Sequence, residues 1–117
     1  MQYLLLIYEQ ESVWNAIQGE EKQKIYKQYM DLVGDMKKAG TYIGGHQLQP
    51  VATASTVRVR NGKKAVTDGP FAETKEQLGG YFLVEAKDLD EALAHAARIP
   101  GADIGSIEVR PVVPNRM

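Results

Sequence analysis

Residues 3–8 and 79–86 are two short stretches in which apolar side chains follow one another with little alternation. Stretches that short do not make buried helices; they read as β-strands that need cover on both faces. That demand is the strongest constraint in the chain. A layer of helices can satisfy one face of a sheet, and something further has to satisfy the other.

The helical layer is visible in the spacing. Over residues 20–39, Ile25, Tyr29, Leu32, Val33 and Met36 recur on one helical face. Glu20 and Glu21 suit the positive end of the helix dipole, Lys37 and Lys38 suit the negative end, and Gly40 is placed to end the helix. Asp88, with Glu91 three residues on, predicts the start of a second helix. Its apolar face would be Leu89, Ala92, Leu93, Ala96 and Ala97, and Pro100-Gly101 stops it. A weaker strand is expected over residues 41–48. Val57 and Val59 then alternate with Arg58 and Arg60, and Asn61-Gly62 predicts the type I′ turn of a hairpin. Ile107 and Val109 alternate in a last strand that Pro111 closes. The order predicts a single α+β domain over residues 1–117. It is a ferredoxin-like antiparallel sheet with two helices on one face and an inserted β-hairpin.

Two helices leave the second sheet face bare. Four strands of ordinary length and spacing present roughly 350 Å² there, and an apolar patch of that size is unusual on a monomer. A second copy packed sheet to sheet is the simplest cover, so a homodimer is expected.

Composition narrows the partners. The 117 residues carry a formal net charge of −1, without the basic surface that phosphate contacts need, so nucleic acid is not an expected partner. The absence of cysteine removes disulfides, thiolate nucleophiles and thiolate metal sites. The two histidines show no metal-ligand spacing. No phosphate-binding loop, dinucleotide-binding glycine pattern or serine-hydrolase elbow occurs, so no cofactor is expected. No stretch approaches the ~18 apolar residues of a membrane span. Residues 1–8 have no basic flank, and Glu9 and Glu11 follow in place of a cleavage site. No membrane association is expected, and the cytoplasm is the expected compartment.

The most distinctive segment is Asp68-Gly69-Pro70-Phe71-Ala72-Glu73-Thr74-Lys75-Glu76-Gln77. Pro70 stiffens the turn and biases Gly69 away from helical backbone, so Asp68 and Glu73 are candidate acid–base groups beside Lys75. The same residues also suit a plain turn, with an Asx-turn at Asp68 and a Glu73–Lys75 surface pair. His46 follows Gly44-Gly45, which permit close backbone approach by a ligand, and is a candidate general base or a half-exposed strand histidine. Tyr8 and Tyr81 are candidate pocket phenols or core residues. Arg58 and Arg60 share a hairpin face and suit an anionic ligand or solvent. His95 is expected at the surface, and Trp14 near the start of the first helix.

The run Asp68–Glu76 resembles the signature of the DGPF branch of the YCII-related family. Thr53–Arg60, Leu78-Gly79-Gly80-Tyr81-Phe82, Asp90-Glu91-Ala92, Ala97-Arg98-Ile99-Pro100 and Glu108-Val109-Arg110-Pro111 resemble that branch in order, over nearly the whole chain. The resemblance implies a ferredoxin-like fold that dimerises into an α+β barrel. It implies a pocket near the motif that binds a small organic molecule. Asp68, Glu73 and His46 are then the candidate catalytic residues, and Arg58, Lys75, Tyr81 and Tyr8 the candidate binding residues. It also implies an alternative, a non-catalytic ligand-binding or regulatory dimer associated with an extracytoplasmic-function sigma factor. YCII-like proteins pair a histidine on the first helix with an aspartate; residues 20–39 contain no histidine, so half of that pair is missing.

Overall fold

In the computed structural model, which describes residues 1–114, the two apolar stretches are the inner strands of a four-stranded sheet. They are β1 (Gln2–Glu9) and β5 (Gln77–Glu85). β2 (Tyr42–Gln47) flanks β5, and β6 (Ser106–Pro111) flanks β1. The order β2-β5-β1-β6, with every neighbouring pair antiparallel, is that of a ferredoxin-like α+β fold. β3 (Ser55–Arg60) and β4 (Lys63–Asp68) pair only with each other, as a separate hairpin. Asn61 and Gly62 turn it at φ 54° and 75°, the left-handed backbone that a type I′ turn requires.

Three helices connect the strands: α1 (Glu11–Ala16), α2 (Gly19–Lys38) and α3 (Leu89–Ala97). The long helix that spacing predicts over residues 20–39 is α2, and α1 ahead of it is a short helix that the spacing does not reveal. Extended backbone at Ile17 and Gln18 separates them, so Trp14 sits on its own short helix. The end of α2 is as the sequence predicts. Gly40 takes φ +74°; its N–H donates to the Lys37 carbonyl and that of Thr41 to the Met36 carbonyl, which satisfies two otherwise unpaired carbonyls. At α3, the Asp88 carboxylate accepts the Glu91 N–H at 2.9 Å, the expected cap.

The core lies on one side of the sheet. Tyr3, Leu5 and Ile7 of β1 and Phe82 and Val84 of β5 are buried against Leu32 and Met36 of α2 and Ala92 and Ala96 of α3. Alternation along β1 and β5 puts Leu4, Leu6, Tyr8, Tyr81 and Leu83 on the opposite face, where all are half-buried. Two expectations for α3 change. Leu89 and Leu93 stand outside the core while the small Ala92 and Ala96 let the helix approach the sheet. The His95 side chain is 19% exposed, with its Nε2 3.9 Å from Glu91.

Candidate functional site

A cleft of about 480 Å³ opens between α2 and the β2 side of the sheet. Two stripes on α2 explain it. Ile25, Tyr29, Leu32 and Met36 form the stripe that leads into the core, and only Leu32 and Met36 are fully buried. One residue further round, Tyr26, Met30, Gly34 and Lys37 face the cleft. Tyr26 is 41% exposed and Met30 72% exposed, values that a helix flank with no opposing wall produces. Ile7 and Phe82 form the floor, Trp14 of α1 closes one end, and Tyr42 borders the other.

Glycine keeps the cleft open. A Cβ on Gly34 would meet nothing within 4 Å, so the centre of a 20-residue helix carries no side chain where one has room. Gly45 has a different reason. A Cβ there would lie 2.8 Å from the Tyr81 carbonyl oxygen and run into the Phe82 ring, so packing, not a ligand, requires that glycine. The Glu9 carboxyl rests against Gly79, 3.1 Å from where a Cβ would stand. Burial and, to a lesser degree, the neighbouring Glu11 push the Glu9 pKa above the ordinary carboxyl value, while Lys22 opposes them. Burial, with help from the nearby Glu9, pushes Tyr29 up to about 12, so this phenol keeps its proton; its oxygen accepts the Gly101 N–H at 3.2 Å.

The sequence-based candidates fall into two groups. His46, Tyr81 and Tyr8 belong to the four-stranded sheet. His46 pairs with Tyr81 across β2 and β5, the Tyr81 hydroxyl lies 2.8 Å from His46 Nδ1, and His46 also borders the cleft. Asp68, Arg58, Glu73 and Lys75 belong to the hairpin and the loop after it, and all four are exposed. Asp68 closes β4 opposite Ser55, and Arg58 lies over the Phe71 ring at 5.5 Å. Among the described residues, no ion pair includes any of these four, so the Glu73–Lys75 pair does not form. The turn is held instead by backbone: the Gly69 N–H donates to the Ala54 carbonyl at 2.7 Å, and the Thr56 hydroxyl to that of Gly69 at 2.9 Å. Gly69 takes φ +101°, a glycine conformation.

Sequence reasoning missed Glu9, Trp14, Tyr26 and Tyr29. A signal existed for one of them, Tyr26. Tyr26 and Met30 make a second apolar stripe beside the first, with Gly34 next on it, and a helix needs only one stripe to reach the core. Nothing marked Glu9, because its environment comes from strands and helices distant in the chain. No group of three or more acidic or histidine side chains suited to a metal ion is found among the described residues, and no helix there is long and apolar enough to cross a membrane.

Comparison with known proteins covers nearly the whole chain. The YCII-related domain matches residues 1–116. An uncharacterised protein of Rhizobium meliloti (strain 1021) is 40% identical over 114 residues, which covers 96% of this chain and 92% of that relative. The chain therefore belongs to the YCII-related family.

Proposed function

We propose that the protein binds a small, largely apolar organic molecule in the cleft between α2 and the sheet, and works as a homodimer. The open space beside Gly34 is the observation that carries the binding reading. A glycine in a helix interior costs roughly 1 kcal/mol relative to alanine, and a Cβ at Gly34 would collide with nothing. A fold selected for stability alone has reason to fill that space. The cleft is also of ordinary ligand-site size, with apolar walls and a few polar groups.

The dimer accounts for the other sheet face. Leu4, Leu6 and Leu83 lie there half-exposed, and a second copy packed face to face would remove them from water and form the family's α+β barrel. Of the residues singled out from the sequence, His46 borders the cleft. Asp68 and Glu73 stand away from it on the exposed loop, and in this reading they shape the turn at the hairpin base.

Thermal shift against a panel of aromatic and alicyclic acids, phenols and lactones tests the reading, with Gly34→Leu as partner to the wild type. The leucine should occupy the cleft without collision. The variant should melt no lower than wild type, while the shift from any ligand disappears. Ligand at 100 times its Kd adds about 2.7 kcal/mol, several degrees for a chain of this size. Hits that bind Gly34→Leu unchanged would place the site elsewhere.

A further inference from the structure

The cleft has unlike ends. Its wall along α2 runs from Tyr26 to Lys37, about 16 Å of helix at 1.5 Å per residue. At the Tyr26 end lies the Glu9 carboxyl, in no ion pair among the described residues. The groups that face it are Glu11 from α1, and Lys22 and Tyr29 from α2. Lys22 is engaged in part by Trp14, its ammonium 4.5 Å from the ring centroid. Glu11 takes the Val51 N–H at 2.9 Å, so its charge is fixed beside this end. At the far end the Lys37 ammonium stands 5.3 Å from the centroid of the Tyr42 ring and forms no ion pair among the described residues. The walls between are aromatic and aliphatic.

We infer that the cleft takes an elongated organic anion with an aromatic or alicyclic body, its carboxylate at Lys37 and an uncharged hydroxyl group at Glu9. The inference rests on the cleft being a binding site. Charge sets the orientation. A reversed ligand would bring its carboxylate to Glu9 and Glu11, and like charges in a half-buried site repel strongly. The aromatic walls supply contact that a flat ring fills well. The Glu9 carboxylate can accept a hydrogen bond from a ligand hydroxyl, so the Glu9 end favours an uncharged donor.

The test uses 6-hydroxy-2-naphthoate and its methyl ester, two compounds with one body and different charge. Trp14 is the only tryptophan and lines the cleft, so quenching of its emission reports occupancy directly. Wild type should bind the acid about two- to fivefold more tightly than the ester, the scale of one partly screened ion pair. Lys37→Met should lower the acid to the ester's affinity and leave the ester unchanged, which also shows that the variant is folded. Equal affinity of acid and ester in wild type, or acid binding indifferent to Lys37→Met, would overturn the assignment and leave the cleft a binding site. Binding of neither compound would overturn the assignment too, and with an empty thermal-shift panel it would remove the cleft reading as well.

Discussion

At Glu9 the folded chain holds a half-buried carboxyl beside Glu11, and both conditions disfavour its charge. A pKa raised on folding has a definite sign. The protonated group contributes stability fully below its ordinary value of 4.5, and that contribution is lost as pH rises through the folded value. At neutral pH the carboxylate works against the fold. Glu9→Gln should therefore raise the Tm at pH 7, by about 2 °C once solvent screening of a half-exposed group is allowed for. The gain should vanish near pH 4. A variant that melts with wild type at pH 7 would show that water relieves the carboxylate fully. Gly45 gives the opposite case, a residue with no room. Gly45→Ala must displace the Phe82 ring or the backbone at Tyr81 and should cost about 1–3 kcal/mol in chemical denaturation. An alanine tolerated without loss would mean that β2, an edge strand, gives way freely.

Elements whose signals are local were legible in the chain. The hairpin turn needs only Asn61 and Gly62, the end of α2 only Gly40, and the start of α3 only Asp88 and its N–H partner three residues on. The strand order was legible as well, since β-α-β units joined by antiparallel neighbours leave few arrangements. The site was harder. Asp68 and Glu73 attract attention because they are packed into a stiff turn, yet a turn advertises itself in sequence whether or not it does chemistry. Tyr29 was legible as one of the apolar stripe, but what it meets, like the burial of Glu9, is set only when β1, α1 and α2 come together. α1 escaped for another reason: six residues are too few for an apolar stripe to recur, and none of them is buried.

For the whole molecule the dimensions carry the message. The chain extends 48 × 42 × 19 Å. The short axis is one sheet plus one helical layer, and the long ones leave the hairpin projecting. Its radius of gyration is 16.2 Å, against about 13 Å for a compact domain of this length. A thin molecule with one apolar sheet face suits the proposed dimer, in which a second copy covers that face. Light scattering at micromolar concentration should give twice the chain mass, and Leu83→Glu, on the bare face opposite Leu4, should return it to the mass of one chain with the helical content kept. A wild-type monomer would leave that face to some other cover.

The projecting hairpin has a consequence for the timing of the molecule's motions. Val57, Val59 and Val66 on one of its faces are more than half exposed, so its ladder can open and close without disturbing the four-stranded sheet. In deuterium the amides of residues 55–68 should exchange long before those of β1 and β5. If a second copy seals the ribbon, that exchange becomes slower as protein concentration rises while the core amides hold their rate. The hairpin would then serve as an internal clock of assembly, readable peptide by peptide.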